Sequence, residues 1–250
     1  MIHDLVRYQY DGSSTLPREH VLLVSLGCSW GKCAFCDYQD DKSSSVLACD
    51  TLNKKVLSQV RGQEIGSTCL DVTCSASYTE LPFTTMNYIR QTCEDKGIKT
   101  VILEGHYIYK DTNHLYTEFF GSRGIEVLFR CGVETFDENI REKTLRKGLP
   151  GVTPKQLSQY FQWVNIMFGM DCQTIDQLKK DIEIALKYFK RINLSIYTTI
   201  PGGPKRDQAA IEAFYYSEYY KNLLSNPKIE IFDEWDDGNV HNVGHDIMTS

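Results

Sequence analysis

The stretch Val21-Leu-Leu-Val-Ser-Leu-Gly-Cys-Ser-Trp-Gly-Lys-Cys-Ala-Phe-Cys36 decides how this chain is read. It joins an aliphatic run, Val21–Val24, to a loop with three cysteines spaced C-x4-C-x2-C. A short apolar run of this kind reads as a buried strand. Gly27 and Gly31 let the backbone that follows wrap closely around a bound group. Three thiolates from one loop, Cys28, Cys33 and Cys36, can hold three irons of a 4Fe–4S cluster and leave the fourth iron without a protein ligand. Zinc is the alternative, but a structural zinc site asks for four ligands. Cys49, Cys74 or a histidine would have to supply the fourth, and the chain has no second C-x2-C pair.

On either side of the loop, short β-like runs alternate with amphipathic helices. The strand candidates are His20–Leu26, Thr68–Thr73, Lys99–Glu104, Glu126–Arg130, Trp163–Phe168 and Arg191–Thr198. The helix candidates are Thr51–Arg61, Pro82–Lys96, Asn113–Ser122, Phe136–Lys147, Thr153–Phe161 and Thr174–Phe189. Thr135-Phe-Asp-Glu138 and Thr174-Ile-Asp-Gln177 fit the capping-box pattern. Thr153-Pro154 is an N-cap followed by proline at the first helical position. Pro201-Gly-Gly-Pro204 breaks the chain, and a last helix, roughly Gln208–Leu224, leads to an irregular tail. Buried strands alternating with helices imply a parallel sheet with right-handed crossovers. Six strand–helix units fall short of the eight of a closed barrel, so the expected fold is α/β, an open partial (β/α)6 TIM-like barrel. The site of such a fold lies at the C-terminal ends of the strands, where the cysteine loop begins. We read residues 1–250 as one domain with a core of about 20–205, and 206–250 as a helix and acidic tail over the barrel mouth.

Composition narrows the function classes. Hydrophobic residues make up 42% and charged residues 24%, as in an ordinary globular chain. A formal net charge of −6 argues against a protein that holds nucleic acid through its phosphates. No apolar run approaches the ~20 residues that span a bilayer. The first twenty residues lack the apolar core of a signal peptide, so the expected location is cytoplasmic and off the membrane. In that reducing setting the six scattered cysteines, of nine in all, read as small buried hydrophobes.

The cysteine loop after the first strand, Phe35 just before the last cysteine and the open (β/α)6 plan resemble the radical S-adenosylmethionine enzymes over about residues 20–205. The resemblance implies that S-adenosylmethionine chelates the unligated iron and is cleaved to methionine and a 5′-deoxyadenosyl radical, with a reduced flavodoxin or ferredoxin as electron donor. Two departures stand out. The family's usual spacing is C-x3-C-x2-C, and here one extra residue lies between Cys28 and Cys33. Its Gly-Gly-Glu motif after the second strand is replaced by Ser75-Ala76-Ser77, whose small polar groups would face the methionine amine. Gly132-Val133-Glu134-Thr135 and Arg146, twelve residues beyond Glu134, look like the pattern of the elongator-type and oxygen-independent coproporphyrinogen oxidase branches. There an acidic or amide side chain binds the ribose diol and an arginine pairs with the methionine carboxylate, chemistry that a carboxylate acceptor and a guanidinium donor suit. The plain alternatives are a helix N-terminal carboxylate for Glu134 and a solvated helix charge for Arg146. Phe168-Gly-Met-Asp-Cys-Gln-Thr174 resembles the family's Gly-x-Pro-Gly-Gln-Thr turn, which brings Met170 and, from the next strand, Tyr197 to the adenine; ordinary packing would explain both equally.

Strand alternation places Asp71, Thr73 and Ser75 on one face, Glu104 with His106, and Arg130 with Glu134. Asp71, Glu104 and Arg130 would then meet inside the barrel, as a polar substrate pocket or as a structural salt bridge. The tail Glu230-Ile-Phe-Asp-Glu-Trp-Asp-Asp237 holds five carboxylates in eight residues. A charge run is usually a solvated face; as a lid, Trp235 or Phe232 would stack on a planar ligand and Asp233 would read its donors. A guanine-like base offers an N1–H and an amine side by side to one carboxylate. The compact chain with Ser25-Leu-Gly-Cys-Ser-Trp-Gly-Lys-Cys-Ala-Phe-Cys-Asp-Tyr38 looks like the queuine lyases of salvage pathways. Those enzymes cut the carbon–nitrogen bond between the cyclopentenediol and the aminomethyl-deazaguanine of queuine, so the implied product is 7-aminomethyl-7-deazaguanine. A radical reaction on another small molecule or peptide remains the first alternative, and a zinc-stabilised binding protein the second.

Overall fold

Strand β2, Arg18–Leu23, is buried at every position and carries the chain directly into the cysteine loop. A computed structural model of the protein describes residues 6–12 and 16–232, apart from the side chain of Gln39. The described residues divide into two compact units: residues 6–12 and 16–31 with Asp37–Arg130, and Lys32–Cys36 with residues 131–232. The strands follow one another in chain order, β1 to β8.

In the first unit β1 (Tyr8–Asp11) runs antiparallel to β2. Beyond β2, β3 (Cys69–Cys74), β4 (Thr100–Glu104) and the first half of β5 (Glu126–Glu134) pair in parallel. Helices α1 (Val46–Leu57), α2 (Phe83–Lys96) and α3 (Asn113–Gly121) connect them. Ser45 Oγ caps α1 by accepting from Ala48 N–H, which starts that helix five residues before Thr51. The buried Asn53 of α1 exchanges two 2.8 Å hydrogen bonds with the backbone of Val24, fastening the helix to the end of β2.

In the second unit β6 (Trp163–Phe168), β7 (Arg191–Ile196) and β8 (Ile229–Phe232) are parallel. The helices are α4 (Pro154–Leu157), α5 (Ile175–Tyr188), α6 (Gln208–Tyr215) and α7 (Glu218–Leu224). Parallel strands alternating with helices place the chain in the α/β class expected of an open (β/α)6 plan.

Several elements differ from the sequence reading. The helix expected over Phe136–Lys147 is a single π turn, Ile140–Thr144. Thr135 Oγ1 does not cap it. That hydroxyl donates to Asp181 Oδ2 of α5 at 2.7 Å, and Asp137 accepts from Ile140 N–H instead. The Glu142 carboxylate then accepts from Gly148 and Leu149 N–H and turns the chain out of the helix. The last helix splits because Ser217 both donates to Phe214 O and caps α7 at Tyr220 N–H. Strands β1 and β8 were not expected; each is four residues long, too short to show a period. No helix among the described residues is long and apolar enough to cross a membrane.

Candidate functional site

In the first unit the start of the cysteine loop is held from both ends. Ser75 Oγ accepts from Ser25 N–H at 2.9 Å and lies 3.2 Å from Ser25 Oγ, which in turn accepts from Gly27 N–H. Gly27 has φ +124°, a conformation that favours glycine. Ser29 N–H donates to Glu80 Oε1 at 2.5 Å, and Glu80 also accepts from Tyr109 OH and Ser77 N–H. The Trp30 ring stacks on His106, with centroids 5.5 Å apart. Trp30 is one of the four residues between Cys28 and Cys33, so the longer spacing supplies a side chain that braces the loop against the segment after β4. Gly31 N–H lies 3.4 Å from Cys28 Sγ, a donor aimed at the thiol.

Ser75 and Ser77 are therefore occupied within the unit. Ser77 Oγ accepts from His106 N–H at 3.0 Å, and Ser75 is 1% exposed. Their hydroxyls tie strand ends together.

In the second unit Phe35 packs against Leu145, Met170 and Tyr197. Ala34 N–H donates to Leu145 O, which fixes the backbone between Cys33 and Phe35. Met170 and Tyr197 are buried, and Tyr197 OH donates to Pro204 O. Glu134 closes β5 and pairs with Lys147 at 2.9 Å, both side chains being almost wholly buried. The Lys147 ammonium also lies 5.1 Å from the centroid of the Phe35 ring. Burial acts to lower the Lys147 pKa, but Glu134, with the thiols of Cys33 and Cys131, outweighs it and holds the ammonium above its ordinary value. Glu134 (φ +66°) and Arg146 (φ +53°) are the non-glycine residues with left-handed backbone among the described residues. Such conformations persist where surrounding structure imposes them, often at functional sites. Arg146 is exposed; the cation brought to Glu134 is its neighbour Lys147. A β-carbon on Gly132 would overlap Glu134 Oε1 and lie 3.0 Å from Lys147 Nζ, so only glycine leaves room for the pair.

Asp71, Glu104 and Arg130 are brought together in the first unit. Arg130 donates to Asp71 Oδ2 at 2.6 Å, to Glu104 Oε2 at 2.8 Å and to Thr73 Oγ1 at 3.0 Å. Arg18 approaches the same Asp71 oxygen at 3.1 Å, and His20 Nδ1 lies 3.5 Å from it. Charges thus alternate along Arg18, Asp71, Arg130 and Glu104. Burial acts to raise the Asp71 pKa, and Arg130, His20 and Arg18 outweigh it and hold the carboxyl well below the ordinary range. Arg130 is raised, since both carboxylates outweigh its burial. The structural salt bridge is formed. Glu104, with its side chain 26% exposed against 0% for Asp71 and 4% for Arg130, is the member that reaches outward.

Cys28, Cys33 and Cys36 form no disulfide and are half-buried. Cys49, Cys69, Cys74, Cys93 and Cys131 are fully buried, and burial raises the Cys49 thiol to about 11 and those of Cys74 and Cys93 further. The half-buried Cys172 thiol is also raised by burial. Among the described residues no three acidic, histidine or cysteine side chains converge as a ready-made metal cage. Asp233 and Trp235 of the tail lie outside the described residues.

Lys147, Glu80, Arg18 and His20 escaped the sequence reading. Glu80 had a signal, because Ser77-x-x-Glu80 is itself a capping-box spacing. Lys147 had none beyond adjacency to Arg146.

No protein-family model matches the chain, and no curated protein does. Solved structures do. The chain is similar to the queuine lyase from Clostridium spiroforme bound to SAM and queuine, with 34% identity, a TM-score of 0.82 and coverage of 90% of this chain and 94% of that one. It is also similar to SuiB of Streptococcus suis, at 18% identity and a TM-score of 0.56, over 90% of this chain and 50% of that one. The second likeness concerns the fold alone.

Proposed function

Because the chain belongs to the queuine lyase family of radical S-adenosylmethionine enzymes, we propose that it cleaves the carbon–nitrogen bond of queuine and releases 7-aminomethyl-7-deazaguanine. The observation that carries this reading is the 34% identity to a queuine lyase over nearly the whole of both chains. A bound 4Fe–4S cluster with S-adenosylmethionine would supply the 5′-deoxyadenosyl radical. The donor set suits that cluster: three half-buried thiols on one loop, none in a disulfide, with Gly31 N–H directed at Cys28 Sγ. Cys28, Cys33 and Cys36 would hold it, and the braces at Ser25 and Glu80 fix where the loop starts.

Glu134 would accept hydrogen bonds from the ribose hydroxyls, with Lys147 holding its carboxylate in place. Phe35, Met170 and Tyr197 would form the apolar wall beside the adenine, and Arg146 and the Ser75–Ser77 segment would flank the methionine end. Glu104 would accept from the N1–H and amine of the deazaguanine, held in place by Arg130, while Asp71 and Arg18 would act through Arg130 without touching substrate. The physiological reductant would be a flavodoxin or ferredoxin.

Anaerobic reconstitution tests the reading. A 4Fe–4S protein is brown, with visible absorbance that bleaches on reduction, and should bind queuine in the presence of S-adenosylmethionine. A colourless protein that takes up zinc alone, zinc being d10, would contradict it.

A further inference from the structure

Resting on the queuine reading above, we propose that Asn165, with Ser195 on the neighbouring strand, forms the subsite that reads the hydroxyls of the substrate's cyclopentenediol. Along β6, Trp163, Asn165 and Met167 share one face, and Val164, Ile166 and Phe168 share the other. The second set is fully buried. On the first face the register partners in β7 are Arg191, Asn193 and Ser195. Barrel strands usually fill their interior with branched aliphatics, whereas this face is polar.

At its N-terminal end several groups pair with one another, although Arg191 Nε makes no hydrogen bond among the described residues. Trp163 Nε1 donates to Asn193 Oδ1 at 2.9 Å, and Arg191 donates to Glu230 at 2.8 Å while lying over the Trp163 ring. Asn165 stands one inward position further along. Its Oδ1 is buried and has no hydrogen-bond partner among the described residues. Asn165 and Ser195 are each only half-buried as residues. Buried polar atoms are almost always paired, and one left open next to a satisfied twin marks a place where a ligand completes the set.

The chemistry selects the ligand group. A carboxamide and a hydroxyl each donate and accept and carry no charge. Alcohol groups have the same character, and a vicinal diol presents two of them at close spacing. The deazaguanine edge presents adjacent donors only and is better met by a carboxylate.

Calorimetry on the cluster-loaded, S-adenosylmethionine-bound enzyme separates the two halves of the substrate. The probes are queuine and 7-aminomethyl-7-deazaguanine, which lacks the diol ring. Asn165→Leu is expected to weaken queuine roughly tenfold or more and the aminomethyl base less than about twofold, as for the loss of one buried hydrogen bond. Ser195→Ala, a smaller change that should leave folding intact, is expected to show the same selectivity. Equal losses for both probes, or no loss in either variant, overturn the subsite. Wild-type enzyme that binds S-adenosylmethionine but not queuine overturns the substrate reading instead, and the subsite with it.

Discussion

Lys147 Nζ lies 2.9 Å from Glu134 Oε1, and the backbone is left-handed both at Glu134 and at Arg146, immediately before Lys147. For an L residue that conformation costs about 1–2 kcal/mol. Two such residues flank one ion pair, so the surrounding packing imposes the geometry of the pair. Glu134 is thereby presented as a fixed acceptor.

Gly132 is the residue that leaves room for it. Gly132→Ala would push its methyl into Glu134 Oε1. The expected outcome is a loss of S-adenosylmethionine affinity of about 1–3 kcal/mol, the scale of a displaced charged hydrogen-bonding group. Calorimetry showing wild-type affinity would contradict the role given to Glu134.

Asp71 is buried between two guanidinium groups, and its folded pKa is depressed. Such a carboxyl stabilises the fold at pH above its unfolded value of about 3.9, and the contribution disappears as pH falls towards the folded value. Asp71→Asn should cost about 3–5 kcal/mol at neutral pH, because Arg18 and Arg130 lose their counter-charge. It should also flatten the decline of stability below pH about 4. Denaturant melts at a series of pH values test both; an acid limb as steep as wild type would remove Asp71 as its source.

Glu80 gathers Ser29 N–H, Tyr109 OH and Ser77 N–H onto one carboxylate. Glu80→Ala leaves three donors without that acceptor, at about 1–3 kcal/mol for each one that stays buried. Iron and sulfide bound per chain after reconstitution should fall, while the far-ultraviolet circular dichroism stays that of wild type. Full cluster loading in this variant would show that the brace is dispensable.

The cysteines divide by exposure. Cys33→Ala should abolish the cluster signal, whereas Cys93→Ala, at a fully buried thiol raised by burial, should leave iron content intact and lower stability only. Electron paramagnetic resonance of the reduced proteins distinguishes them, and a full cluster in Cys33→Ala would remove that residue from the ligand set.

Much of the fold was legible because its strands are apolar runs bounded by turn residues. Trp163–Phe168 matches β6 residue for residue, and the others agree to within a few positions. The stretch 136–147 misled because its helical composition is overruled by tertiary contacts: Asp181 takes Thr135, and Glu142 takes the following backbone. The partnership of Asp71, Glu104 and Arg130 followed from strand alternation, but its depth did not, since Arg18 and His20 enter from a strand whose start was placed two residues late. The cation beside Glu134, Lys147, had no signal of its own in the sequence. The chain is not helical there: Arg146 takes a left-handed step, and Lys147 immediately after it pairs with Glu134.

The central claim is bond cleavage in queuine, and anaerobic turnover measures it most directly. Reconstituted enzyme, dithionite, S-adenosylmethionine and queuine are incubated together and the products identified by mass spectrometry. The account expects 5′-deoxyadenosine and 7-aminomethyl-7-deazaguanine to appear together, both lost in Cys33→Ala. 5′-Deoxyadenosine without the aminomethyl base, from a protein with a full cluster, would contradict it.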